Sequence, residues 1–284
     1  MTDQERLSHD DIGAAPPPKG FDPLAAGKTD LFRYGLPQRP DPQTQSGLAA
    51  LWEKQARRYR TFDHLQAQAR RPALKAPGMT PQALGLEPTE HCGYTLTSVG
   101  APFTALFVTW TVPNLRHTPS QHGPNRFRTF VGLGFLDVHV EMTVDSAHNI
   151  TATMTASGVD SVGLPVAPGD VISGSMCLDT NPPGRANYVL ANETRSQTVN
   201  FSFDTGFPPA VTVNAGISRG DINNPLNPLA QFGVVYFDEI SAYTTAGFRS
   251  LTNGEAVTMM DRNGATLARP IRLNDFTFKT VHAG

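Results

Sequence analysis

From about residue 92 to the end, the chain is written in short apolar runs punctuated by Gly, Pro, Asn and Asp. The runs are "ALFVTWTVPNL", "RTFVGLGF", "LDVHVEMTVD", "NITATMTA", "DVISGSMCLD", "ANYVLANET", "QTVNFSFD", "AVTVNAGIS", "FGVVYFDEI", "EAVTMMD" and "FTFKTV". Each is rich in β-branched and aromatic residues and too short for a helix of ordinary length, so each reads as a strand. Eleven strands in about 190 residues predict an all-β sandwich or barrel. No fixed period relates the runs, which disfavours propellers and solenoids. The charged fraction, 17%, is low, and the 25 glycines and 24 prolines suit many tight turns.

Residues 128–145, "RTFVGLGFLDVHVEMTVD", give the clearest pattern. Leu136, Val138, Val140 and Met142 share one parity; Asp137, His139, Glu141 and Thr143 share the other. Side chains alternate faces along a strand, so one face is apolar and the other carries three titratable groups. That second face is either solvated or the lining of a cleft.

The N-terminal part has a different texture. Residues 1–45 hold seven prolines and predict an extended arm, with "DLFRYGLPQRPD" as a docking segment. Residues 47–71 carry Leu48, Leu51, Trp52, Tyr59, Phe62 and Leu65 near helical spacing and are stopped by Pro72, which predicts a helix. The expected plan is an arm at 1–45, a helix and linker packed on the main domain at 46–90, and a β-sandwich at 91–284.

Several functions are disfavoured. Net charge is −2 with no basic run, so the footprint of a nucleic-acid binder is absent. No stretch approaches the ~18 apolar residues of a membrane span. The first twenty residues have no apolar signal core, so the expected location is cytoplasmic as the sequence stands, or secreted if a leader once preceded it. Cys92 and Cys177 are expected to be reduced, and no CxxC or HExxH spacing points to a metal; no cofactor is expected.

Five motifs in order carry a resemblance: "VTWTVPNL" (108–115), "RTFVGLGF" (128–135), "VAPGDVISGSM" (166–176), "ANYVLANETRSQTVNFSF" (186–203) and "NPLAQFGVVYFD" (227–238). Together with "DLFRYGLPQRPD" in the arm, they resemble the glutamic peptidases, or eqolisins, in a divergent bacterial-type form. The resemblance implies a jelly-roll-like (concanavalin-like) sandwich of two antiparallel sheets, one curved into a groove for polypeptide. In that family a glutamate activates water and a glutamine amide binds the oxyanion, chemistry that needs a base and an aimed donor.

This sequence departs from that pattern. Asp137 stands where the family has its glutamine, and an ionised Asp offers no hydrogen. The glutamate strand corresponds to "VNAGISRGDI" (213–222), which places Gly220 at the glutamate, or Arg219 or Asp221 after a slip of one. The resemblance therefore implies a family member without the usual Gln/Glu pair, acting as a non-catalytic or weakly active groove for polypeptide or another extended ligand. An acid endopeptidase using Asp137 and Asp221, and a carbohydrate-binding or assembly protein, are the alternatives. His139, Glu141, Trp110 and Arg219 are candidate binding residues, and the arm a candidate route to a homo-oligomer. Three further features are weighed on the residues alone. The tripeptide in "SRGD" (218–221) reads as incidental. Asn149, Asn192 and Asn200 lie in N-x-S/T sequons, which matter only in a glycosylating compartment. His91 and Cys92, adjacent on a strand, face opposite ways and cannot pair with each other; Cys92 with His139 has no support.

Overall fold

The computed structural model describes residues 15–68, 90–120, 123–157, 161–180, 183–206, 208–219, 228–261 and 263–284. Two helices open the described chain: α1 (Lys28–Arg33) and α2 (Ser46–Tyr59). The strands follow in chain order. The first six are β1 (Asp63–His64), β2 (His91–Thr97), β3 (Phe103–Thr111), β4 (Leu115–Arg116), β5 (Asn125–Leu133) and β6 (Leu136–Val144). The next six are β7 (Ile150–Ala156), β8 (Val171–Thr180), β9 (Pro183–Asn192), β10 (Gln197–Asp204), β11 (Thr212–Ser218) and β12 (Gln231–Phe232). The last six are β13 (Val234–Thr244), β14 (Gly247–Arg249), β15 (Gly254–Val257), β16 (Met259–Met260), β17 (Thr266–Arg272) and β18 (Phe278–His282).

These strands build a two-sheet sandwich, as the run pattern predicts. The larger sheet runs β1-β10-β9-β8-β3-β13-β18-β17-β16, with β14 on β13. The smaller runs β15-β2-β11-β5-β6-β7, and β12 pairs with β4 apart from both. Pairing is antiparallel except for β1 beside β10. Leu136, Val138, Val140 and Met142 of β6 face Trp110, Tyr188, Phe201 and Phe237 of the larger sheet across one shared core. Fully burying each such side chain contributes about 1.5–3 kcal/mol.

Register in the smaller sheet is set locally. Leu133 pairs with Leu136, leaving Gly134 and Phe135 as a two-residue hairpin loop. Gly134 has φ +63, and a Cβ there would come within 2.7 Å of the Ala210 Cβ, so only glycine fits. That turn places Asp137 opposite Gly132. A one-residue slip would turn the apolar half of β6 outward.

The outer face of the larger sheet is covered by the N-terminal part of the chain. Leu31, Leu36, Trp52, Ala56 and Tyr59 form a second small core there. The Tyr59 hydroxyl donates to Asn200 Oδ1 at 2.5 Å, and Asn200 Nδ2 donates to the Tyr34 carbonyl. A β-bulge between Asp238 and Ser241 turns Glu239 (φ +52) toward α2, where it meets Lys54 and Arg58. The arm therefore docks on its own sheet. A cleft of about 1140 Å³ remains beneath it, lined among others by Trp52, Arg58, Phe107, Cys177 and Arg185.

Two sequence expectations need correction. The helix predicted over 47–71 ends at Tyr59, because the chain turns there to add Asp63 and His64 to the edge strand β10. Phe62 and Leu65 thus follow helical spacing without being helical; residues 69–71 lie outside the described residues. The sequons at Asn192 and Asn200 are buried, 0% and 2% exposed, inside hydrogen-bonded strands, and so cannot accept a glycan in the folded chain.

Candidate functional site

The outer face of the smaller sheet carries the polar parity of β6. Antiparallel pairing carries that parity across neighbouring strands as three rows. The first reads Glu255, Thr95, Asn214, Gly132 and Asp137 from β15 to β6. The second reads Val257, Gly93, Gly216, Phe130, His139 and Thr155. The third reads His91, Ser218, Arg128, Glu141 and Thr153. Asp137, His139 and Glu141 thus share a face with groups from five other strands.

The middle of this face is bare backbone. A Cβ on Gly93 would lie 2.0 Å from the Ala215 carbonyl oxygen, and one on Gly216 would lie 2.2 Å from that of Cys92. β2 and β11 approach too closely there for any side chain. Gly93 and Gly216 thus form a floor in the second row, bounded by Phe130 on β5 and flanked by the first and third rows.

Asp137 is tightly held at one wall. Its Oδ1 accepts from Ser157 Oγ at 2.5 Å and its Oδ2 from His139 Nδ1 at 2.9 Å. Burial acts to raise its pKa, but the hydrogen bond and charge of His139, the Ser157 hydroxyl and the charge of Arg128 outweigh it. The carboxyl ends below its ordinary range and stays ionised. Across Gly132, Asn214 Oδ1 accepts from Thr95 Oγ1 at 2.7 Å, and a Cβ on Gly132 would lie 3.9 Å from Asn214 Nδ2. A carboxylate and a carboxamide therefore flank Gly132, two strands apart.

The third wall is basic. Glu141 is shared by Arg128 at 3.4 Å and Arg126 at 3.9 Å. His91 packs edge-on against Phe130, and burial lowers its pKa to about 4, so the ring is neutral over most of the pH range.

The other candidate residues fall elsewhere. Trp110, proposed above as a binding residue, is 1% exposed in the core, where its Nε1 donates to Thr129 Oγ1 at 2.9 Å and ties the sheets together. Its position on the inward parity of β3 keeps it from the outer face of the smaller sheet. Arg219 is buried just past the end of β11 and falls on the parity opposite Asn214 and Ser218. Asp221 and Gly220 lie outside the described residues. Cys92 and Cys177 are unpaired, with both thiols pushed up to about 12 by burial, so neither is a ready nucleophile. Cys92 points into the core, away from His139. No group of three or more potential metal ligands occurs among the described residues. The sequence reasoning missed Asn214, Ser218 and Arg128 as wall residues and weighed His91 only as a partner for Cys92. The alternation in "HCGYTLT" and "NRFRTFVGL" is the signal that reaches them, once strand neighbours are known.

Comparison with known proteins supports the sandwich architecture. A family profile described as the Peptidase A4 family matches residues 89–272. The chain belongs to the Peptidase A4 family. Among solved structures it is similar to scytalido-glutamic peptidase with a transition state analog inhibitor, and to the same enzyme with a peptide-based transition state analog. Each match has a TM-score of 0.54 and 16% identity, and covers 69% of this chain and 98% of the other. It is also similar to SCP-B, an eqolisin in complex with the tripeptide Ala-Ile-His, at TM-score 0.52, 16% identity and the same coverages. No curated protein matches. As a Peptidase A4 protein the chain has the eqolisin sandwich. No helix among the described residues is long and apolar enough to cross a membrane.

Proposed function

We propose that this protein is an eqolisin-fold groove that binds extended polypeptide without the Gln/Glu chemistry of its family. One observation carries the reading. Asp137, at the position matched to the family's glutamine, is an acceptor-only carboxylate, with both oxygens engaged by Ser157 and His139. Such a group donates nothing to an oxyanion, and its lowered pKa makes it a weak base. The glycine floor supports binding, because bare backbone lets an extended chain lie close. Related structures hold a tripeptide and a peptide-based analogue on the same fold.

A second reading has one observation in its favour. Asp137 and Asn214, across Gly132, present a carboxylate and a carboxamide on one groove wall, the two group types an acid endopeptidase of this fold needs. Digestion of a denatured protein from about pH 2 to about pH 7, with Asp137→Asn in parallel, decides between the two. The binding reading expects no cleavage above background and saturable binding of an extended peptide. Cleavage that disappears in Asp137→Asn and in Asn214→Ala establishes the enzyme instead.

A further inference from the structure

The third row of the groove holds two nitrogens that the fold leaves without partners. His91 is 8% exposed, and its Nδ1 is buried with no hydrogen-bond partner. Its place opposite Ser218, and its edge-on contact with Phe130 at 6.0 Å, put the ring on the groove side of the sheet. Arg128 lies on the same row beyond Ser218, and its Nε is likewise buried without a partner. Buried polar groups are almost always satisfied, and an unmet one carries a desolvation cost that an incoming ligand recovers.

Both nitrogens suit an anionic acceptor. The guanidinium Nε–H donates only, and a neutral imidazole donates from Nδ1 in the corresponding tautomer. They sit on strands two apart, so their Cα atoms are separated by about 9–10 Å, and the long Arg side chain narrows that gap over Ser218. The span accommodates the two oxygens of one carboxylate. We propose that His91 and Arg128 form a subsite of the groove for a carboxylate of the bound polypeptide, either an acidic side chain or the C-terminal carboxylate. The subsite rests on the polypeptide-groove reading and adds a preference for acidic ligands to it.

Fluorescence anisotropy with the full chain tests the subsite. The probes are three labelled nonapeptides rich in Val and Thr: one with a central Glu and an amidated C-terminus, one with Gln in its place, and the Gln peptide with a free carboxylate. At least one acidic probe is expected to bind roughly tenfold tighter than the amidated Gln peptide. The probe that gains identifies the source of the carboxylate. His91→Gln and Arg128→Gln should each reduce that preference to about twofold or less, read within each variant as the ratio of its affinities for the acidic and the amidated Gln peptides. Equal binding of all three peptides by the unaltered protein overturns the subsite and leaves the groove reading standing. A preference that survives both substitutions also overturns it. If no peptide binds, the groove reading and the subsite fall together.

Discussion

The two outer faces of this sandwich have been treated in opposite ways. The larger sheet turns outward a face of small and polar residues, Ser175, Cys177, Asn187, Asn200 and Ser202 among them, and the chain covers it with its own arm and α2. The smaller sheet turns outward Asp137, His139, Arg128 and His91 over a floor of glycines, and keeps partnerless buried nitrogens there. Both faces keep a few unmet buried polar atoms, Gln38 Oε1, Gln55 Nε2 and His64 Nδ1 on the covered side and His91 Nδ1 and Arg128 Nε on the open one. The difference lies in the cover: the larger sheet is roofed by the chain itself, as Asn200 shows with Tyr59 and Tyr34, whereas no helix among the described residues packs on the outer face of the smaller sheet.

Substitutions can break this comparison, and the largest effect belongs to the floor. Gly216→Ala forces a Cβ to 2.2 Å from a backbone oxygen, so β2 and β11 must separate. We expect a loss above about 4 kcal/mol, or no soluble protein at all, as measured by denaturant unfolding. On the covered face, Trp52→Ala deletes the centre of the small core and the Nε1 hydrogen bond to the Pro37 carbonyl. That should cost about 3–5 kcal/mol. If the cover is an independent layer, proteolysis will release the arm while the sandwich still melts cooperatively; joint unfolding would show that the two faces are one unit.

Acid sharpens the contrast further. The pKa of folded His91, about 4, lies below the ~6.5 of an unfolded chain, so the unfolded state takes the proton first as pH falls. Its contribution is full above about pH 6.5 and declines by about 3 kcal/mol as pH approaches 4. His91→Gln should flatten that limb of the stability–pH curve. Asp137 acts in a lower window. Its folded pKa is depressed, so its contribution holds above the ordinary carboxylate range and is lost as pH falls through the folded value. Asp137→Asn should therefore lower stability at neutral pH and converge on the unaltered protein as pH falls through the folded value. The smallest effect is expected at the cover's rim: Lys54→Ala removes a half-exposed partner of Glu239 and should cost less than about 1 kcal/mol.

Much of the architecture was legible. All eleven apolar runs contain strands, because alternation and β-branched content report a pleated, half-buried surface directly. β17 is the instructive miss. Pro270 argues against a strand, yet it pairs opposite Thr280 of β18, while only Met259 and Met260 of β16 pair along its other side. The helix ran short for a related reason: spacing at Phe62 and Leu65 cannot show that an edge strand nearby offers better hydrogen bonds.

The candidate site was legible along one strand and illegible across strands. The parity of β6 put Asp137, His139 and Glu141 on one face, since alternation is a property of the backbone alone. Which residues stand beside them depended on β11 and β2 arriving from far away in the sequence, in registers set by a hairpin glycine and by two glycines that let backbones touch. Trp110 shows the converse: a residue that reads equally as core or platform until a partner such as Thr129 appears across the sandwich. The order of residues alone thus determined the strands, their two faces and the family, because these follow from local spacing and composition. Only the tertiary structure decided which polar groups meet and which buried nitrogens go unmatched, because hydrogen bonds between distant strands exist only once register is fixed.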